Sequence, residues 1–355
     1  MKTRALKNYS SSVGCEVYDI DFNSEEEIIE LGKIVAHNCV VYVDQKIPTE
    51  QLYKTMSHWG DDSRALIQSY VLSKKLTGRH WREVLLNLGF LNRGLGDLAG
   101  AVTRVSYERD ERGNPTGLFP QGELDWHSDQ FSRDDAQRII GLQSVSGSAN
   151  SQTQFLCTHD AYESLSSDMR SMIKELVVKH KWHVAEDGSW AVWPGMSRQQ
   201  EMALKYNAMP IDGMETRLYG ETVTGLSGVK LLHHSFDGFV GMGREESDKI
   251  LEEIKNAVFQ DKYVYTQDWE DGQIVFMDQQ ITLHKRPTNL SHGNKRVMSR
   301  VITYLNKIYP ESQPTTHVGY KGQLLTHDEF AKLVDEDRLK TFLQEEEARE
   351  LELNH

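Results

Sequence analysis

The stretch Gly122-Glu-Leu-Asp-Trp-His-Ser-Asp129 sets one histidine, His127, two residues before a carboxylate, Asp129. If this stretch is a β-strand, residues i and i+2 point to the same side of the sheet. The imidazole and the carboxylate would then project toward one point and supply two ligands of a metal site. A histidine from a distant segment would complete a two-histidine, one-carboxylate set, which leaves one face of an iron ion open.

The candidate for the third ligand is His284, in the segment Phe276-Met-Asp-Gln-Gln-Ile-Thr-Leu-His-Lys-Arg-Pro287. His292 is an alternative, but it lies in a polar turn and four residues before Arg296. The adjacent pair His233-His234 is a further candidate for metal binding. Neighbouring strand residues point to opposite faces, however, so this pair is assigned structural or solvent-facing roles.

Three segments, in order along the chain, closely resemble the taurine dioxygenase (TauD/TfdA) family of Fe(II)- and 2-oxoglutarate-dependent oxygenases. Gly122–Asp129 resembles the metal-binding segment of the family, Asp278–Pro287 its distal-histidine segment, and Arg296-Val-Met-Ser-Arg300 its arginine strand. The resemblance implies an α+β fold that is mainly β with flanking helices, around a double-stranded β-helix (jelly-roll, cupin-like) core. It also implies Fe(II), with 2-oxoglutarate and O2 as co-substrates.

The resemblance extends to residues that would bind 2-oxoglutarate. In the family's pattern the first arginine of the terminal strand pairs with the distal carboxylate, and Arg296 has that position. Arginine suits this role because its planar fork holds a carboxylate through two charge-assisted hydrogen bonds. Thr153 is placed like the family's carboxylate-binding threonine, although Asn150-Ser-Gln stands before it instead of Gly-Gly-Asp. Arg300 would face the same side as Arg296, and both a contact with bound ligands and a structural ion pair are open.

The reaction implied by the resemblance is hydroxylation of an unactivated C–H bond, with release of succinate and CO2. Related halogenating oxygenases have a small residue at the carboxylate position, so Asp129 disfavours halogenation, while desaturation and ring formation stay open. We expect a small-molecule substrate, an organic acid or an amino-acid-like compound, because Arg300 favours an anionic group.

Two other classes of protein could use the same residues. A zinc-dependent hydrolase also binds its metal through histidines and a carboxylate, but it leaves Arg296 and Thr153 without a use. A non-catalytic jelly-roll binding protein would need neither an intact ligand set nor an arginine that grips an anion. The oxygenase interpretation is therefore favoured.

Composition restricts the class of protein further. The chain has 355 residues with a net charge of −13, which argues against general affinity for nucleic acid or anionic membrane. It shows no signal-peptide pattern and no apolar run of membrane-spanning length. The chain has three cysteines, Cys15, Cys39 and Cys157, which is an odd number without metal-type spacing. This pattern favours neither a disulfide framework nor a zinc ribbon, and it fits a reducing, cytoplasmic location. A homo-oligomer is left open.

One oxygenase domain is expected over residues 1–320, with insertions at about 60–110 and 182–240 that would cover the substrate. An acidic helical extension is expected over 321–355. Trp182, Trp190 and Trp193 are assigned to loop packing. Apolar spacing predicts helices over 25–38, 49–59, 161–178 and 245–259, the second opened by a capping box at Thr49. It predicts strands over 39–43, 101–107, 139–143, 154–157, 263–266, 273–277 and 296–305.

Overall fold

The protein is described by a computed structural model that covers most of the expected core. The described residues are 1–62, 102–109, 111, 117, 124–129, 136–180, 214–231, 236–287, 295–318 and 324–326. Most of the expected insertion at 60–110, part of that at 182–240 and most of the extension over 321–355 lie outside them. So do His233, His234, His292, Trp182, Trp190 and Trp193, and the single-domain organisation stays a prediction. Within the described part, no helix has the length and apolarity needed to cross a bilayer.

A seven-stranded sheet forms one wall of the core. Its strands are β1 (Lys2–Ala5), β2 (Gly14–Tyr18), β3 (Val40–Val43), β4 (Val102–Ser106), β6 (Arg138–Ser146), β14 (Ile274–Asp278) and β16 (Val297–Tyr304). They are arranged in the order β1-β2-β3-β14-β6-β16-β4, and all neighbours are antiparallel except β2 and β3. The parallel pair follows from the helix that joins β2 to β3, because parallel strands need a crossover connection.

A four-stranded antiparallel sheet forms the facing wall. It contains β5 (Leu124–His127), β7 (Gln152–Cys157), β13 (Val264–Asp268) and β15 (Thr282–Arg286), in the order β13-β7-β15-β5. One buried apolar cluster draws on both sheets, with Phe155 from this sheet and Met277 and Met298 from the seven-stranded one. The predicted jelly-roll core, mainly β with flanking helices, is confirmed.

Two helices cover the outer face of the seven-stranded sheet. Helix α1 (Glu25–Ala36) begins after Ser24, whose hydroxyl accepts a hydrogen bond from the Glu27 N–H. Helix α2 (Thr49–Ser57) packs Leu52 and Met56 into the apolar cluster on this face. The predicted capping box at Thr49 is wrong, because Pro48 occupies the N-cap and the Thr49 hydroxyl contacts Gln143 and Ser299 instead.

The outer face of the four-stranded sheet carries a second layer. Its helices are α3 (Thr158–Glu163), α4 (Ser167–Glu175) and α5 (Arg244–Val258), which confirms the helix predicted over 245–259. The helix predicted over 161–178 is wrong in extent, because Ser166 caps a new helix and Val178 belongs to a strand. The remaining strands are β8 (Val177–His180), β9 (Met214–Arg217), β10 (Tyr219–Glu221), β11 (Ser227–Val229), β12 (Phe236–Phe239), β17 (Thr316–Val318) and β18 (Leu324–Thr326).

Two of the three cysteines form a disulfide, contrary to the expectation from the sequence. Cys39, just before β3, is joined to Cys157, the last residue of β7, with the Cα atoms 5.8 Å apart. Cys15 is free. The paired cysteines are 118 residues apart, so no local spacing announces them, and the bond links the two walls of the core.

Candidate active site

Three side chains able to bind a metal meet at the edge of the four-stranded sheet. The register of β15 with β5 sets His284 directly opposite His127, and their ring centroids lie 4.1 Å apart. Asp129 lies near them, with 3.5 Å between His127 Nε2 and Asp129 Oδ1. One ligand atom from each residue lies within 4.8 Å of the others. The expected shared strand for His127 and Asp129 is wrong in detail, because β5 ends at His127 and a turn brings in the carboxylate.

That turn is fixed by Gln279, a buried residue that sequence reasoning gave no role. The Asp129 N–H donates to Gln279 Oε1 at 2.7 Å, and the Ser128 hydroxyl lies 3.0 Å from the same oxygen. The Ser128 hydroxyl also lies 3.1 Å from the Gln279 carbonyl oxygen. Gln279 thus joins the segment that carries Asp129 to the turn that leads into β15 and His284.

The turn between β14 and β15 is itself held by a buried carboxylate. Asp278 Oδ1 accepts hydrogen bonds from the N–H groups of Gln280, at 2.7 Å, and Ile281, at 3.1 Å. Its other oxygen accepts from the Gln137 side chain. Burial raises the pKa of Asp278 to about 6, although these hydrogen bonds act in the opposite direction. These hydrogen bonds therefore fix the position at which the strand carrying His284 begins.

The electrostatics of the three candidate ligands suit a metal. Burial works against ionisation of Asp129, but the charge of Arg300 and the hydrogen bond from His127 hold the pKa of Asp129 well below its usual range. Burial, together with the nearby His127 and Arg300, lowers the pKa of His284 to about 3, although the charge of Asp129 acts in the opposite direction. At neutral pH Asp129 is thus ionised and His284 neutral, the states that metal binding requires. The buried Nδ1 of His284 has no hydrogen-bond partner among the described residues, which fits a site completed by another species.

Arg300 and Arg296 differ in their partners. Arg300 Nη1 lies 2.5 Å from Asp129 Oδ2, so the ion pair left open by the sequence is present. Arg296 is 3% exposed, and its Nε and Nη1 atoms make no hydrogen bond within the described part of the chain. Its guanidinium carbon lies 5.1 Å from the ring centroid of Tyr107. A buried guanidinium with free donors fits an anionic ligand such as a carboxylate.

These residues line one cleft, which encloses about 450 Å³ of empty space when its open mouth is included. Thr153 lies in it, and its hydroxyl accepts a hydrogen bond from Trp269 Nε1 at 2.9 Å. A third buried arginine, Arg286, also lines the cleft and was not among the predicted site residues. Its position two residues after His284 on one strand is the signal that could have identified it.

A family model described as "Taurine catabolism dioxygenase TauD, TfdA family" matches residues 79–302. Pentalenolactone F synthase of Streptomyces avermitilis is 25% identical over 208 residues, which is 57% of this chain and 68% of that protein. The (S)-phenoxypropionate/alpha-ketoglutarate-dioxygenase of Sphingobium herbicidovorans is 22% identical over 189 residues, 50% of this chain and 61% of that protein.

Two solved structures have a similar fold. A taurine dioxygenase from Burkholderia xenovorans aligns with a TM-score of 0.59 at 17% identity, over 91% of this chain and 94% of that one. AAD-2 in complex with Mn(II) and N-oxalylglycine aligns with a TM-score of 0.59 at 18% identity, over 85% of this chain and 98% of that one. The likeness extends over most of both partners in each comparison.

Proposed function

The chain belongs to the TauD, TfdA family of Fe(II)- and 2-oxoglutarate-dependent dioxygenases, and on this premise we propose that His127, Asp129 and His284 hold its iron and that it hydroxylates a small organic acid. Fe(II), 2-oxoglutarate and O2 are the cofactor and co-substrates of this enzyme class. The observation that carries the metal assignment is the convergence of three ligand atoms within 4.8 Å. The relatives give no support to a zinc hydrolase or a non-catalytic binding protein.

The metal site is proposed to work with fixed protonation states. When bound, iron(II) with 2-oxoglutarate and O2 supplies the oxidation of a C–H bond, placing one oxygen atom in the product and the other in succinate, with loss of CO2. Asp129 contributes a full negative charge, since Arg300 keeps it ionised. His284 contributes a neutral ring. Gln279 holds the backbone of Asp129 in place, as groups behind metal ligands commonly do.

Arg296 is proposed to bind the distal carboxylate of 2-oxoglutarate, with Thr153 as a second hydrogen-bond donor. The unpartnered Nε and Nη1 atoms of Arg296 support this role, because they offer two N–H groups in a buried place. The Thr153 hydroxyl accepts from Trp269 and so keeps its own hydrogen free to donate. Both side chains line the cleft that also contains the metal ligands.

The substrate is proposed to carry an anionic group near Arg300. This arginine pairs with Asp129 through Nη1, while its buried Nε has no partner in the part of the chain that the structure describes. The relative from Sphingobium herbicidovorans is named for (S)-phenoxypropionate, which is an organic acid. An organic acid or amino-acid-like compound is therefore the proposed substrate class.

The test is an anaerobic titration of the purified protein with Fe(II) and then 2-oxoglutarate, following the weak visible absorption that the two give together. Wild type should show the band, His284→Ala should lose it, and Arg296→Ala should need much more 2-oxoglutarate. Replacement of the exposed His37 by alanine is the matched control and should leave the band unchanged. If wild type binds iron but gives no band with 2-oxoglutarate, the proposal is wrong. Succinate release can then rank a panel of organic acids against neutral analogues.

A further inference from the structure

Arg286 shares its strand and its face with a proposed metal ligand. It follows His284 by two residues on β15, so both side chains lie on the same face of the strand, and both are buried. The register of β15 with β7 pairs Lys285 with Gln154. Continued by one residue, that register sets Arg286 beside Thr153, which also lines the cleft. Arg286 thus lies on the side of the cleft where the co-substrate carboxylate is proposed to bind.

Arg286 and Arg296 approach one aromatic ring from opposite walls of the core. Their guanidinium carbons lie 4.9 Å and 5.1 Å from the ring centroid of Tyr107. Attraction between a cation and the face of an aromatic ring favours both positions. The Tyr107 hydroxyl is buried and makes no hydrogen bond to any described residue. Two cations and an unsatisfied hydroxyl therefore belong to one small region.

The two guanidinium groups that lie over the Tyr107 ring carry like charges. Arg300 already neutralises Asp129 through their ion pair. Arg286 and Arg296 are both 3% exposed and remain charged at neutral pH. Like charges in a buried place disfavour each other, and an anion between them removes that cost.

We propose that Arg286 binds the distal carboxylate of 2-oxoglutarate together with Arg296, so that two arginines, one on β15 and one just before β16, hold the co-substrate. This inference rests on the proposed function. A carboxylate has lone pairs for about four hydrogen bonds, enough for the fork of Arg296, the Thr153 hydroxyl and one N–H of Arg286. The primary substrate is the competing anion, but the placement of Arg286 beside Thr153 favours the co-substrate.

The experiment removes the distal carboxylate from the ligand as well as the arginine from the protein. 2-Oxopentanoate keeps the five-carbon chain and the 2-oxo acid end of 2-oxoglutarate but ends in a methyl group. Calorimetry with the Mn(II)-loaded enzyme gives dissociation constants for both compounds without turnover. The variants are Arg286→Met, Arg286→Lys and the control Lys249→Met, at an exposed position of α5.

Arg286→Met should weaken 2-oxoglutarate binding about 10- to 100-fold, as expected for the loss of a hydrogen bond to a charged group. Its affinity for 2-oxopentanoate and for Mn(II) should stay within about twofold of wild type. Arg286→Lys keeps the charge and should recover part of the preference for 2-oxoglutarate over 2-oxopentanoate. If the methionine variant does not fold, the lysine variant tests the inference in its place. Lys249→Met should leave both affinities unchanged.

Three results would overturn the inference. An unchanged 2-oxoglutarate affinity in Arg286→Met means that Arg286 serves another anion, such as the primary substrate. An equal loss for both 2-oxo acids means that Arg286 supports the structure and does not contact the carboxylate. If wild type binds Mn(II) but neither 2-oxo acid, the proposed function itself is wrong, and this result is distinct from the other two.

Discussion

The side-chain oxygen of Gln279 accepts a hydrogen bond from the backbone N–H of Asp129 at 2.7 Å, across 150 residues of sequence. The same glutamine directly follows the carboxylate that holds the turn leading into β15. The position of the proposed carboxylate ligand is thus tied to the strand that carries the distal histidine. A substitution that weakens this link should lower the affinity for the metal without altering any ligand.

Gln279→Leu should weaken Mn(II) or Fe(II) binding about 10- to 100-fold, the range typical when a group behind a metal ligand is removed. Leucine keeps most of the volume but offers no acceptor to the Asp129 N–H. Calorimetric titration of the metal measures the change. Gln260→Ala, which removes a surface glutamine bonded to Asn256, is the control. A metal affinity equal to wild type in Gln279→Leu would contradict the positioning role.

Asp278 should make stability depend on pH in an unusual direction. Its pKa in the folded protein, about 6, lies above the ordinary value of 3.8, so folding favours the protonated form. The stability it contributes is present in full below about pH 4 and is lost as the pH rises through 6, an effect of up to ~3 kcal/mol.

Asp278→Asn has no titrating group at this position, so the difference in Tm between wild type and this variant should fall as the pH rises from 4 to 7. Thermal unfolding at several pH values measures it. Asp261→Asn, at an exposed position, is the control. A difference that grows with pH would show that the carboxylate is preferentially ionised in the folded protein.

Tyr107 should influence 2-oxoglutarate binding through its ring. Tyr107→Leu removes the aromatic ring that Arg286 and Arg296 contact, and we expect a loss of about 2- to 30-fold in affinity, the range for buried cation–π contacts. Tyr107→Phe keeps the ring and should stay within about threefold of wild type. Both are measured with the Mn(II)-loaded enzyme. Equal losses in the two variants would assign the effect to the hydroxyl group.

Gly220 supports the turn before β15 by its small size. A Cβ atom added there would lie 2.7 Å from the carbonyl oxygen of Gln280, and backbone cannot move aside as a flexible side chain does. Gly220→Ala should therefore destabilise the fold by about 1–3 kcal/mol, as overpacking commonly does. Chemical denaturation measures the change, and an unaltered midpoint would mean that the turn yields without cost.

The metal ligands could be predicted from the sequence because two short motifs carry them. Their arrangement in space could not be predicted. Asp129 reaches His127 through a turn, and Gln279, which fixes that turn, is 150 residues away in the sequence. The family motif points only to the arginines of the terminal strand and not to Arg286, although strand alternation places Arg286 on the same face as His284. The disulfide between Cys39 and Cys157 depends on the packing of two sheets, which no local pattern encodes.

Local signals were also outweighed by competing ones. The apolar spacing over 161–178 resembles one helix, yet Ser166 caps a second helix and Val178 pairs in a strand. Thr49 has the sequence of a capping box, but its hydroxyl bonds to Gln143 and Ser299 in the sheet. In both places, contacts with distant parts of the chain outweighed the local sequence pattern.

The spacing of His284 and Arg286 on β15 has a consequence for the length of the co-substrate. Two residues of a β-strand span roughly 6.5–7 Å, so the proposed metal and the second arginine are held apart by a fixed backbone distance. A site built in this way selects its co-substrate by the length of the carbon chain. We expect it to accept the five-carbon 2-oxoglutarate and to discriminate against the four-carbon oxaloacetate and the six-carbon 2-oxoadipate. Equal binding of all three would show that the strand sets no such measure.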